Sequence, residues 1–223
     1  MDTSAVLWYE SSAIDFNSAL PVGNGRIGGM VYGRVEEELI NLNEESIWSG
    51  GKRYRINPDA KDNLENVRKL LFDGKIKEAE DLAMKTMTGV GPDSRHYLPL
   101  GDLHISMKNV GNYEDYKRYL DLRNAICTTE FVVDGVRYVR EVFVSYPDDV
   151  LVINIKADKP NSINIFSRLD RAYNLYDDNR PYNSNTLILT AGSGSADGIF
   201  FSAVLSAASQ GGKIYTQIGR AHV

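Results

Sequence analysis

Apolar and polar residues alternate along most of the chain, the two-residue period of strands that bury one face. The segment from Thr128 to Ser145 carries it most clearly. Two β-rich runs there flank Asp134-Gly135, a pair that supplies the positive φ angles of a tight type I′ turn, so a hairpin is predicted. In the second run Val136, Tyr138, Val142 and Val144 share a face that Arg140 interrupts. After Pro147-Asp148-Asp149, Leu151, Ile153 and Ile155 alternate with Val152, Asn154 and Lys156. Further predicted strands are Met30 to Val35, Glu38 to Leu42, Ile163 to Leu169, Thr186 to Thr190, Phe200 to Leu205 and Lys213 to Ile218. Gly211-Gly212 reads as a hairpin turn before the last of these. Roughly ten short strands at close spacing indicate a sandwich or barrel and not βαβ units.

One stretch changes period. Asn57-Pro58 reads as an N-cap with proline at the first helical position. Leu64, Val67, Leu70 and Leu71 recur at helical spacing, and Gly74 is a natural stop. A second stripe of Ile76, Ala79, Leu82, Ala83 and Met87 follows. The expectation is a helical hairpin, about 58–88, inserted between strands, with its apolar stripes as docking faces on the sandwich.

Composition narrows the function more than the fold. With 43% hydrophobic and 25% charged residues, the 223 residues suit a soluble globular chain with one sizeable core. The formal net charge is −5 with the signs interspersed, which lacks the basic stripe a nucleic-acid surface needs. No signal peptide or membrane helix is read, so a cytoplasmic location is expected, or a secreted one if the true N-terminus lies upstream. The single cysteine, Cys127, falls in a strand-like run and reads as a buried, inert thiol.

Several patterns invite a chemical reading. Gly23-Asn24-Gly25-Arg26-Ile27-Gly28 matches G-x-G-x-x-G, with Glu44 and Glu45 about twenty residues later. A dinucleotide site requires a buried strand before the glycines and a helix after them. Here Leu20-Pro21-Val22 precedes, and the β-type run Gly29-Met30-Val31-Tyr32-Gly33 follows, so the reading is rejected. Neighbouring acids on a strand point to opposite faces, so Glu36 to Glu38, Glu44 with Glu45, Asp148 with Asp149 and Asp177 with Asp178 read as solvated turns and faces. His96, His104 and His222 show no metal-ligand spacing, and no cofactor is implied. His96 lies in a polar loop able to hold a sugar hydroxyl, and Trp8, Trp48 and the 13 tyrosines can stack on sugars or fill a core.

An ordered series of segments adds a resemblance. It runs from Leu7-Trp8-Tyr9 through the Ala19 to Gly28 stretch and Asn41-Leu42-Asn43-Glu44-Glu45-Ser46-Ile47-Trp48-Ser49-Gly50. Asn57-Pro58, Val67-Arg68-Lys69-Leu70-Leu71, Tyr97 with Pro99-Leu100-Gly101-Asp102-Leu103, Leu120-Asp121-Leu122 and Tyr138 with Arg140 to Ser145 continue it. Together they resemble the N-terminal domain of bacterial glycoside hydrolases of family 95, the α-L-fucosidase type. Ser12-Ala13-Ile14-Asp15-Phe16 and Ser46-Ile47 depart from the family pattern conservatively.

The resemblance implies a mainly β fold, a large antiparallel super-sandwich as in the N-terminal domains of α/α-barrel glycosidases. It implies that 1–223 is this domain, truncated at its C-terminal end, with the catalytic barrel absent. The barrel would hydrolyse terminal fucosides or galactosides by inversion without metal, so no catalytic residue is nominated here. The partners implied are that missing catalytic domain and an oligosaccharide substrate. Asn24, Arg26, Asn43, Glu44, Trp48 and His96 are the candidates for the pocket rim or the interdomain contact. Two other readings stay open: a stand-alone carbohydrate-binding sandwich, and the N-terminal domain of a family 65-like glycoside phosphorylase.

Overall fold

Strands dominate the computed structural model, which describes residues 5–91, 95–108, 110–171, 178–194 and 197–216. In chain order they are β1 (Val6–Tyr9), β2 (Leu20–Gly23), β3 (Ile27–Val31), β4 (Glu37–Glu44), β5 (Gly101–Met107), β6 (Tyr113–Asp121) and β7 (Ile126–Val133). There follow β8 (Val136–Ser145), β9 (Val150–Ala157), β10 (Ile165–Asp170), β11 (Asp178–Asn183), β12 (Thr186–Gly192) and β13 (Phe200–Ser206). Helices α1 (Ala60–Phe72) and α2 (Ile76–Thr86) lie between β4 and β5. The chain divides into two units: Met1–Trp48, Tyr97–Ser193 and Ile199–Val223 form the first, and Ser49–His96 with Gly194–Gly198 the second.

The first unit is an antiparallel sandwich. One sheet runs β1-β6-β7-β8-β9, the next β10-β5-β4-β3-β2, and a smaller one β11-β12-β13. The predicted hairpin joins β7 to β8, with Asp134 and Gly135 at φ 49° and 68°. Between the two larger sheets, Leu20, Val31, Ile40, Leu103 and Ile105 meet Leu120, Cys127 and Val142 in one core cluster. Burying each large aliphatic side chain there contributes about 1.5–3 kcal/mol before entropy is counted. A second cluster stacks Phe131 on Tyr138, ring centroids 5.3 Å apart. Burial pushes the Cys127 thiol up to about 12, so it stays protonated and unreactive near neutrality.

The charged interruption at Arg140 is not a surface residue. Arg140 is only 4% exposed and ion-pairs across the sandwich with Glu38, which is fully buried. Glu38 had the pattern of a solvated face beside Glu36 and Glu37, and the structure corrects this. Its Oε1 accepts the backbone N–H groups of Tyr32 and Gly33 at 3.1 and 2.9 Å, and Arg140 also donates to the Arg34 carbonyl at 2.6 Å. A charge survives in a core only when it is paired and hydrogen-bonded, and this one is.

Other boundaries move for local reasons. The run predicted from Met30 to Val35 ends as a strand at Val31, because Gly33, at φ 73°, turns the chain back toward β4. Lys213 to Thr216 are not in a strand; the Thr216 hydroxyl donates to the Asn183 carbonyl at 2.7 Å instead. Ile218 and the rest of that predicted strand lie outside the described residues, as does Asp177.

In the second unit, α1 and α2 form the expected hairpin, but α1 begins at Ala60 and not at Pro58. Gly74, at φ 75°, ends it. Val67 and Ala79 are buried, whereas Phe72, Ile76 and Met84 remain exposed. Asn57 is not the N-cap. Its Oδ1 accepts the Asp59 N–H at 3.0 Å, while its amide donates to the carbonyls of Lys85 and Thr88 at 3.3 and 3.1 Å. It thereby ties the start of α1 to the end of α2. Asn57→Ala leaves those carbonyls without a protein donor and is expected to cost the unit about 1–3 kcal/mol. Amide exchange should accelerate in α2 and stay unchanged in β4 and β5.

Candidate functional site

The glycine-rich segment forms the tight turn between β2 and β3, paired in register from Leu20↔Val31 to Gly23↔Gly28. Gly25 sits at φ 96°, a backbone region that suits glycine, and this lets Asn24 cap the turn. The Asn24 Oδ1 accepts the N–H groups of Arg26 and Ile27 at 3.0 and 2.9 Å. Its amide donates to Asp149 Oδ1 at 2.9 Å and to the Ser145 carbonyl at 3.3 Å. Arg26 spans two carboxylates, Glu44 Oε1 at 3.3 Å and Asp149 Oδ2. One turn of the first sheet is thus fastened to one turn of the second.

Beside this network lies an aromatic corner. Asn43 donates to the Tyr97 hydroxyl at 2.7 Å, and that hydroxyl donates to the Glu44 carbonyl at 3.0 Å. Trp48 meets Tyr97 edge to face with centroids 5.0 Å apart, and its indole N–H donates to the Glu45 carbonyl at 3.2 Å. Trp48 remains 46% exposed, leaving ring surface free for a ligand or another surface.

The structure therefore unites Asn24, Arg26 and Glu44 in one network, with Asn43 and Trp48 adjoining it through Tyr97. His96 belongs to the second unit, where its N–H donates to Ser49 Oγ at 2.8 Å and its carbonyl accepts the Ser49 N–H at 2.8 Å. Sequence reasoning missed Asp149, read as part of a solvated turn. Its partners are 123 and 125 residues away in sequence, so no local pattern announces them.

Electrostatics decide what these carboxylates can do. The Asn24 hydrogen bond, and then Arg26, hold Asp149 below the usual aspartate value. Burial raises Glu44, but the Ser46 hydroxyl and N–H together with Arg26 outweigh it, so Glu44 also lies low. Both are ionised near neutrality, the opposite of the raised carboxylic acid that protonates a glycosidic oxygen. The network is built to hold a shape.

Glu130 is likewise lowered: burial opposes, and Arg137, Tyr119 and Lys117 prevail. A carboxylate depressed in the folded state stabilises it above the unfolded value and loses that contribution as pH falls through the folded value. Stability should therefore decline from about pH 4.5, the ordinary glutamate value, downward. Arg26→Gln, which frees Glu44 and Asp149, should flatten the acid limb of urea midpoints measured across pH by lowering them modestly at pH 7 while leaving the acid end unchanged.

The chain matches the family described as "Glycosyl hydrolase family 65, N-terminal domain" over residues 7–222. It belongs to that family. This glycosyl hydrolase N-terminal domain is also similar to a protein named alpha-L-fucosidase 2 from Arabidopsis thaliana, 32% identical over 170 residues that cover 75% of the chain. Two proteins named probable alpha-fucosidase A, from Aspergillus niger and Aspergillus oryzae, are 30% and 28% identical over 63% and 70% of the chain. The chain spans only about a fifth of the length of these relatives, 20%, 18% and 22% respectively.

Proposed function

We propose that this domain is the N-terminal, non-catalytic portion of a glycoside hydrolase of the α-L-fucosidase type, akin to family 95. The observation that carries the reading is the similarity to alpha-L-fucosidase 2 across three quarters of the chain. The ordered motifs from Leu7-Trp8-Tyr9 to Ser145 support it. In this reading a separate α/α-barrel hydrolyses terminal fucosides or galactosides with inversion, and no residue of this chain takes part in proton transfer. In this reading the Asn24–Arg26–Glu44–Asp149 network and the Trp48–Tyr97 corner shape the surface that meets the barrel or the rim of its pocket.

The family description favours a second reading, the N-terminal domain of a family 65-like glycoside phosphorylase. One experiment separates the two. The full-length protein encoded by the gene is incubated with an aryl α-L-fucoside in the absence and presence of phosphate, and the first-formed sugar is followed by NMR. Release of the inverted anomer without phosphate supports the hydrolase. Phosphate-dependent formation of a glycosyl phosphate replaces it with the phosphorylase. Turnover by this chain alone would refute both, because each places the chemistry elsewhere.

A further inference from the structure

A groove of about 390 Å³, within the range of small-molecule sites, opens on the sheet formed by β1, β6, β7, β8 and β9. Its lining includes Trp8, Glu10, Asp115, Lys117, Glu130 and Arg137. Arg137 and Ser145 stand at opposite ends of β8, so the groove is far from the network around Asp149. Sequence reasoning singled out Trp8 as an aromatic able to stack on sugars, and nothing in the proposed function uses it.

The local fold constructs this groove. The β6–β7 register shifts between Glu114 and Lys117, a β-bulge, and Asp115 within it adopts φ 51°. Bulges re-aim side chains and recur beside functional sites. Here both Asp115 and Tyr116 line the groove, and the Tyr116 hydroxyl reaches on to donate to the Gly33 carbonyl at 2.6 Å. Glu130, 8% exposed, is a buried part of the lining. Its Oε1 accepts from the Tyr119 hydroxyl at 3.0 Å and lies 3.5 Å from Lys117 Nζ, and its Oε2 is bound by Arg137. Trp8, by contrast, is 60% exposed although it is a large aromatic on a paired strand.

We infer that this groove is a carbohydrate subsite that takes a neutral sugar unit of an oligosaccharide. Charge selects the ligand class. Three carboxylates and two cations line the groove and are partly paired with each other, so a phosphate would face Glu10, Asp115 and Glu130, and a polyamine would face Lys117 and Arg137. A neutral polyol meets neither penalty. Its hydroxyls can both donate to fixed carboxylates and accept from fixed cations, while its C–H face covers the exposed Trp8 ring. The choice of a fucosylated probe rests on the glycosidase reading; the position and neutrality of the site do not.

The test is an NMR titration of this chain with the trisaccharide 2′-fucosyllactose, with inorganic phosphate and spermidine as charged comparisons. The expected result is a saturable shift of the Trp8 indole N–H and of backbone amides in β6 and β7 with the trisaccharide alone. Trp8→Ala should weaken that binding by about tenfold or more, the scale of truncating an aromatic anchor. Trp8→Tyr, which keeps an aromatic plate, should retain most of it. If Trp8→Ala fails to fold, the mapping on the natural chain decides alone. Shifts at the groove with phosphate or spermidine instead, shifts only around Trp48, or none up to millimolar sugar would each overturn the subsite. Fucoside hydrolysis by the full-length protein without groove binding sinks this inference and leaves the proposed function standing. Groove binding without hydrolysis does the reverse.

Discussion

Replacing Glu38 with alanine is expected to destabilise the sandwich by about 3–5 kcal/mol, the usual cost of removing one partner of a buried ion pair. The reason is what remains. Arg140, 4% exposed, would keep its charge with only the Arg34 carbonyl described as a partner for its Nη2, and its Nε has no protein partner. The Gly33 N–H would lose its acceptor as well, and the Tyr32 N–H would keep only the Leu39 carbonyl at 3.2 Å. Complete burial pushes the Glu38 carboxyl upward, against the pull of Arg140 and the backbone donors, so the pair is held under tension with desolvation. It follows that the double replacement Glu38→Met, Arg140→Leu should be markedly less harmful than Glu38→Ala alone. Urea denaturation of the natural chain, Glu38→Met, Arg140→Leu and the double variant closes a double-mutant cycle. Equal losses for the single and double variants would refute an interdependent pair.

The second large effect is expected at Gly33. A Cβ there would stand 2.7 Å from Arg118 Cδ and 2.8 Å from the Tyr116 hydroxyl, closer than such atoms approach. The left-handed backbone adds about 1–2 kcal/mol for any residue with a Cβ, and overpacking about 1–3 kcal/mol more. Gly33→Ala should therefore lower stability by about 2–5 kcal/mol with little change in the urea m-value. The displaced groups make the loss specific. Tyr116 would give up its bond to the Gly33 carbonyl, and Arg118, 2% exposed, its bond to the Ser11 carbonyl at 2.7 Å. A loss below about 1 kcal/mol would mean that the turn relaxes around the methyl group.

These two sites also show where the sequence is legible and where it is not. Alternation placed the β7–β8 hairpin and β9 because each is specified by residues that are neighbours in the chain. Asp134-Gly135 dictates its own turn, and Gly74 its own helix stop. Strand β6 escaped notice because Tyr113 to Asp121 carries charges on both faces, the buried Arg118 among them, and only pairing with β1 and β7 gives it order. Arg140 read as a break in an apolar face because its partner is 102 residues away. The same holds for the candidate site. Asn24, Arg26 and Glu44 could be selected as polar groups around glycine turns, but Asp149, which unites Asn24 with Arg26, could not. Local chemistry announces turns, whereas long-range pairing of charges is settled by topology.

That topology orders events while the chain is being made. Hairpin β2–β3–β4 is complete soon after residue 44 leaves the ribosome, but β1 must wait for β6, since Val6 pairs with Asp121. Glu38 waits for Arg140, and Asn24 for Asp149. Until residues 121 and 140 have emerged, the nascent sandwich therefore displays an edge without its neighbour and a carboxylate destined for the interior, the kind of surface that chaperones shield. Slow synthesis across β6 to β8 would prolong that exposure.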